Sequence, residues 1–233
     1  MNETTTPSRR IRSFVRREGR LTRGQQRALD TLGPQYLLDA EGPPLDLTAL
    51  FGRTAPVTLE IGFGNGESLA DQAARHPERD YVGIEVHRPG VGHLLQLIER
   101  DGLTNVRLFC ADAVEVLERR IPDAALDTVQ IFFPDPWHKK RHHKRRLVQP
   151  EFVARLARKL ASGGVLHLAT DWAEYAEHMH EVMEAAPNFA NAYGPGAWAP
   201  DPGDRPETKF ERRGQRLGHG VRDLRYRCDE GGT

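Results

Sequence analysis

Short apolar runs alternate with longer segments of helical period from Pro56 onward. The runs near 57–61, 80–85, 105–110, 127–133 and 163–169 have the length and β-branched or aromatic content of buried strands. Between and after them, segments near 66–75, 89–101, 113–120, 149–160 and 172–185 carry apolar residues at helical spacing. In the fourth, Pro150 and Glu151 suit a first turn, Phe152, Leu156 and Leu160 recur every four residues, and Arg158 and Lys159 meet the negative end before Gly163-Gly164. Strictly alternating strands and helices predict a parallel sheet covered by helices. A final run near 221–228 (VRDLRYRC) follows a long loop and is expected to join the sheet antiparallel.

The region before Pro56 reads differently. Met1 to Ser8 is polar and expected to be disordered, and the arginine-rich stretch to Leu32 offers only Ile11, Phe14, Val15 and Leu21 as anchors. Residues 1–32 are therefore read as a basic, flexible arm that orders on a partner, and 33–230 as one domain. Gly33-Pro34 and Gly42-Pro43-Pro44 punctuate a linker-like region, after which Asp46 suits the cap of a short helix through Phe51.

Charge changes the picture through its placement. The 33 Lys and Arg balance 33 Asp and Glu, yet 22 of the cations fall in residues 1–27, 139–146 and 205–227. Such clustering steers an anionic partner even at zero net charge. Cys110 and Cys228 make no motif and are expected to be buried strand residues in a reducing compartment. With no apolar run of membrane-spanning length and no signal-peptide core, a soluble cytoplasmic protein is expected. His178 and His180 lie two apart on a predicted helix and do not share a face, so no metal site is expected.

Candidate chemistry gathers where strands end. In VTLEIGFGNGESLA (57–70), Gly62, Gly64 and Gly66 sit between a strand and a helix, the place where backbone N–H groups approach a ligand, although such glycines are equally often structural. Their G-x-G-x-G spacing and the adjacent Glu60 suit a cationic amino group better than a pyrophosphate, favouring S-adenosylmethionine over a nicotinamide dinucleotide. Glu85 ends the next strand where an acid accepts ribose hydroxyls, and Asp112 follows one strand later; either alone also suits a helix cap. In FFPDPWHKKRHHKRR (132–146), two prolines bracket Asp135, and Lys139, Lys140, Arg141, Lys144, Arg145 and Arg146 follow with His142 and His143 among them. That stretch suggests a polyanion delivered to a rigid acid; a Pro-rich turn beside a solvated basic loop is the plainer alternative. Asp171 and Glu174 have capping-box spacing, and a cap or a substrate role fits Asp171 equally. Thr208, Lys209, Phe210 and Glu211 read as a polar loop.

Assembled, these residues resemble the bacterial tRNA (guanine-N(7)-)-methyltransferase family, through IRSFVRREGRLTRGQ (11–25), LEIGFGNG (59–66), GIEVH (83–87), the 132–146 stretch, ATDW (169–172), TKFERRG (208–214) and LGHGV (217–221). The resemblance implies a Rossmann-like class I methyltransferase, an α/β fold with a seven-stranded, mostly parallel sheet, an antiparallel last strand and helices on both faces. It further implies S-adenosylmethionine-dependent methylation of a guanosine in the tRNA variable loop. Glu60, Gly62, Gly64, Gly66, Glu85, Asp112 and Asp135 would then line the methyl-donor site, with Asp135 also the catalytic residue. Lys139, Asp171 and Thr208 to Glu211 would face the substrate, and Arg141, His142, His143, Lys144, Arg145 and Arg146 would touch RNA. Members occur as monomers and as homodimers, which leaves assembly open. Two other readings compete: a non-catalytic RNA-binding protein on a degenerate methyltransferase fold, and a nicotinamide-dependent oxidoreductase, which Glu60 and the glycine spacing disfavour.

Overall fold

A computed structural model describes residues 13–14, 19–206 and 220–229. The expected substrate residues Thr208, Lys209, Phe210 and Glu211 lie outside the described residues, as does most of the arm before Gly19. The elements, in order, are α1 (Arg23–Tyr36), β1 (Leu37–Leu38), α2 (Leu47–Phe51), β2 (Val57–Ile61), α3 (Glu67–Arg75), β3 (Asp80–Ile84), α4 (Arg88–Asp101) and β4 (Val106–Phe109). Then come α5 (Ala113–Arg119), β5 (Leu126–Phe132), a 3-10 turn (Lys140–Arg145), α6 (Pro150–Lys159), β6 (Leu160–Thr170), α7 (Ala173–Glu184), β7 (Phe189–Asn191) and β8 (Arg222–Cys228).

The sheet order is β1-β4-β3-β2-β5-β6-β8-β7. Strands β2 to β6 pair in parallel, and β8 runs against both its neighbours, β6 and β7. This is the expected seven-stranded sheet with an eighth, two-residue strand, β1, added beside β4. The order reverses between β2 and β5, so the crevice beyond their carboxyl ends is where an open α/β sheet receives a ligand. One face buries the aliphatic side chains of β2, β5 and β6 against α5, α6 and α7, whereas the other packs on α1, α3 and α4.

Three expectations before and beside the sheet need correction. The predicted arm boundary at 32/33 falls inside α1, which runs through Gly33-Pro34. A capping box of Thr22 and Gln25 opens this helix, Ala28, Leu29 and Tyr36 are buried, and Arg27 meets Glu99 of α4 at 2.6 Å. Packing against α4 thus holds a helix where glycine and proline argue locally against one. Cys110 is exposed just after β4, and only Cys228 is a buried strand residue. Helix α7 is capped by Trp172 without a side-chain bond; the Asp171–Glu174 capping box does not form, because Glu174 is engaged by Arg146 at 3.2 Å. Asp46 does cap α2, accepting from the Ala49 N–H.

Helix α4 is pressed against its neighbours by two glycines. A Cβ on Gly90 would stand 2.0 Å from the Gly64 carbonyl oxygen, and one on Gly92 would stand 2.9 Å from the Gln25 Cβ. The glycine turn, α4 and α1 are therefore in contact without clearance.

A polar row crosses the α3 side of the sheet, with Glu60, Gln130 and His167 in register on β2, β5 and β6. Gln130 and Gln72 of α3 exchange two amide hydrogen bonds at 2.8 and 3.1 Å. At the end of the row Asp223 takes bonds from Arg205 Nε (2.9 Å) and Nη2 (2.8 Å), while His167 Nε2 lies 2.8 Å from it. Arg205, 2 % exposed, lies over the rings of Phe132 and Phe133. Removing one member of a buried ion pair strands the other charge. Asp223→Ala is therefore expected to destabilise the fold by ~3–5 kcal/mol, read as a lower midpoint in denaturant unfolding, with Asp223→Asn less damaging.

Candidate methyl-donor site

The acids come together because parallel strands all point their carboxyl ends at one crevice. There a cavity of about 520 Å3 is lined by Gly62 and Gly64 after β2, Glu85 after β3, Asp112 after β4 and Asp135 after β5. Five of the seven expected cofactor contacts thus share one space, whereas Glu60 is buried within β2 and is not part of its lining. Gly66 stands one step deeper as the cap of α3, with φ +77° and no room for a Cβ against Leu94.

Each acid is fixed differently. Glu85 accepts from the N–H groups of Gly64 (2.9 Å), Val86 (2.7 Å) and His87 (2.8 Å). These occupy three of the roughly four acceptor positions of a carboxylate and lock its orientation. Asp112 caps α5 through the Val114 N–H at 3.0 Å and also lines the cavity, so capping does not take it out of the crevice. Glu60 is 3 % exposed and its Oε2 has no hydrogen-bond partner. Burial, and secondarily the nearby Glu85 carboxylate, pushes its pKa up to about 8. A buried acid with an unpartnered oxygen is costly unless a cation arrives to use it.

Asp135 sits exposed in a turn whose backbone is strained at both ends: Phe133 has φ +51° and Trp137 φ +48°. Positive φ in bulky residues is uncommon and concentrates at functional positions. The Trp137 N–H donates to Asp135 Oδ1 at 3.0 Å, which fixes the carboxylate within the turn. Arg146 braces the turn from behind. Its Nε donates to the Pro136 carbonyl (2.9 Å), its Nη2 to Glu174 (3.2 Å), and its guanidinium lies over Tyr175. At 3 % exposed, Arg146 is a correction to the expected RNA contacts, since it faces the protein interior. Lys139, Arg141 and Lys144 are exposed on the same segment, and Asp171 is exposed just beyond β6. His142 and His143 are half-buried in the 3-10 turn, and desolvation, followed by the surrounding cations, lowers the His142 pKa.

Two parts of the wall were not anticipated. Ser13 and Phe14 line the cavity, and their carbonyls accept from Trp137 Nε1 (3.0 Å) and Arg145 Nη2 (3.2 Å). Arg145 also stacks on the Trp137 ring at 4.0 Å, so it is partly turned inward. The sequence signal was present in Phe14, an apolar residue among arginines, and in an aromatic residue directly after Pro136. Among the described residues, no cluster of His, Cys, Asp and Glu is arranged to hold a metal ion, and no helix is long and apolar enough to cross a membrane.

Comparison with known proteins fits this geometry. Residues 54–224 match a family model described as "Putative methyltransferase". Among solved structures, the 16S rRNA methyltransferase KamB superposes with a TM-score of 0.58 at 18 % identity, covering 81 % of this chain and 96 % of that one. A precorrin-6y C5,15-methyltransferase from Geobacter metallireducens gives 0.51 at 19 %, covering 76 % and 81 %. At such identity these likenesses establish the Rossmann-like class I fold. The tRNA (guanine-N(7)-)-methyltransferase of Alkalilimnicola ehrlichii is 66 % identical over 98 % of this chain and 97 % of its own. That of Alcanivorax borkumensis is 60 % identical over 96 % and 94 %. Agreement at this level over almost the whole of both chains, on a sheet whose acids converge on one crevice, means that the chain belongs to the tRNA (guanine-N(7)-)-methyltransferase family.

Proposed function

We propose that this protein transfers a methyl group from S-adenosylmethionine to nitrogen-7 of a guanine in the variable loop of tRNA, in the cytoplasm. The observation that carries the reading is the one cavity lined by the glycine turn, Glu85, Asp112 and Asp135; Glu60, with its unpartnered oxygen, is buried in the strand that leads into that turn. A donor set rich in carboxylates and poor in cations suits a ligand bearing an ammonium and a sulfonium. When bound, S-adenosylmethionine supplies a methyl carbon on positively charged sulfur.

The residues of the chain divide the work. Glu60 and the backbone of the glycine turn would hold the amino-acid end, Glu85 the ribose and Asp112 the adenine edge. Guanine nitrogen-7 carries a lone pair and no proton, so no general base is required to create the nucleophile. The donor's sulfonium would supply the methyl group, and methylation at nitrogen-7 would leave the purine positively charged. Asp135, held in its turn by the Trp137 N–H, offers negative charge where that positive charge appears. Asp135 and Asp171 would also accept from the base's amide and amino donors, orienting its nitrogen-7 toward the donor site. The base has to leave the stack, because side chains do not enter the deep groove of folded RNA. Lys139, Arg141 and Lys144, exposed beside the crevice, would grip phosphates while it does so.

Incubation with labelled donor and bulk tRNA, followed by borohydride and aniline cleavage, is expected to locate 7-methylguanosine; unmodified tRNA would overturn the reading. Asp135→Ala is expected to lower methyl transfer by about 100-fold or more, as loss of a charge-stabilising group does, with tRNA affinity in a filter-binding assay little changed. Glu60 provides a pH-dependent check. Its pKa of about 8 in the ligand-free fold exceeds that of a solvated carboxyl, so the fold gains stability from its proton at acid pH and loses it as pH rises toward 8. Glu60→Gln should flatten that decline and raise the melting temperature at pH 8, while weakening donor binding measured by calorimetry. A variant that gains stability yet binds the donor as before would remove Glu60 from the site.

A further inference from the structure

The strand ends that carry Asp135 and Asp171 are adjacent, since Phe132 of β5 pairs with Ala169 of β6. Each acid is followed shortly by an aromatic ring that the described chemistry does not use: His138 after Asp135, and Trp172 after Asp171. The two rings meet edge-to-face, with centroids 4.3 Å apart and planes at 70°. They thereby bridge the two acid-bearing corners. Trp172 nevertheless stays 40 % exposed, one of two large hydrophobic residues so placed among the described residues. The other, Tyr193, is hydrogen-bonded to Arg225 in the segment after β7. The backbone under Trp172 is set by a bond from its N–H to Thr170 Oγ1 at 3.2 Å and by its position as the cap of α7.

A lone exposed aromatic is ordinary on a protein surface. Its location beside two carboxylates and next to an exposed basic segment is what asks for an occupant. A purine turned out of RNA leaves its faces wet, and an aromatic side chain is the usual surface that covers one. The indole has a second property that suits this reaction: its face attracts cations. Guanine is neutral before methylation at nitrogen-7 and cationic afterwards, so a stacked indole would hold the transition state more strongly than the ground state.

We propose that Trp172, supported by His138, stacks on the target guanine and favours the positive charge that develops on it. This inference rests on the reading of the protein as a guanine nitrogen-7 methyltransferase. It assigns to Trp172 a rate effect as well as a binding effect, which a merely structural surface residue would not have.

The test uses the full-length chain with Trp172→Ala, Trp172→Leu and Trp172→Phe, each checked by melting temperature. Trp172→Ala and Trp172→Leu are expected to lose about tenfold or more in kcat/KM for tRNA, the scale of one base–aromatic stack, with part of the loss in kcat. Trp172→Phe should recover most of it, and donor affinity should be unchanged throughout. Independently, 7-methylguanosine monophosphate should quench the fluorescence of the wild type more than guanosine monophosphate does, and the difference should vanish in Trp172→Phe. Activity of Trp172→Ala within twofold of wild type, Leu matching Phe, or quenching unchanged in Trp172→Phe would each overturn the proposal. Wild-type protein that forms no 7-methylguanosine on tRNA would instead overturn the reading beneath it, so the two failures are distinguishable.

Discussion

The strained corner from Phe133 to Trp137 is the constraint on which the site depends. Two bulky residues there adopt positive φ, each at a cost of about 1–3 kcal/mol, and the geometry persists only because its surroundings hold it. Arg146 does much of the holding, since its guanidinium bonds the Pro136 carbonyl, reaches Glu174 and lies over Tyr175. A sequence rich in cations thus conceals one whose work is internal. Arg205 acts comparably, over Phe132 and Phe133, with Asp223 satisfying its charge and His167 bonded in turn to Asp223. The corner that carries Asp135, the acid proposed to meet the substrate, is in this way braced by two buried guanidiniums.

Charge is sorted radially around that corner. Carboxylates line the crevice, and lysines and arginines stand exposed along the segment that follows Asp135. The separation would let a chain of zero net charge serve the two opposite ligands of the proposed reaction, a cationic donor in the crevice and a polyanion outside it. Glu60 adds to the same arrangement: burial first, and the Glu85 carboxylate second, raise its pKa, so the ligand-free fold disfavours its charged form. The donor's cation would relieve what the fold by itself leaves unfavourable.

Much of this was legible in the sequence where local pattern and tertiary context agree. The strands β2 to β5 and the helices α3 to α7 lie within a few residues of their expected places because period and length suffice for buried elements. Glycines and acids at successive strand ends foretold the crevice for the same reason: a parallel sheet delivers all its carboxyl ends to one edge. The reading failed where a distant partner decides. Helix α1 persists through Gly33-Pro34 because α4 receives its buried face, and the Thr22–Gln25 box that announces it was obscured by the surrounding arginines. Spacing alone leaves open a capping box of Asp171 and Glu174, whereas Arg146, 28 residues before Glu174, bonds it instead. Nor does any local signal tell that Ser13 would reach the Trp137 indole across 124 residues.

The tight seam along α4 carries a lesson for interpreting variants. Gly90 leaves no space at the Gly64 carbonyl, so a side chain added there would push the helix off the loop that Glu85 tethers, whereas one at Gly92 would press on Gln25 of α1. Such changes would masquerade as defects in cofactor recognition although position 90 offers no functional group of its own. A survey of inactive alleles would count both glycines among the contact residues, when their contribution is simply to be thin.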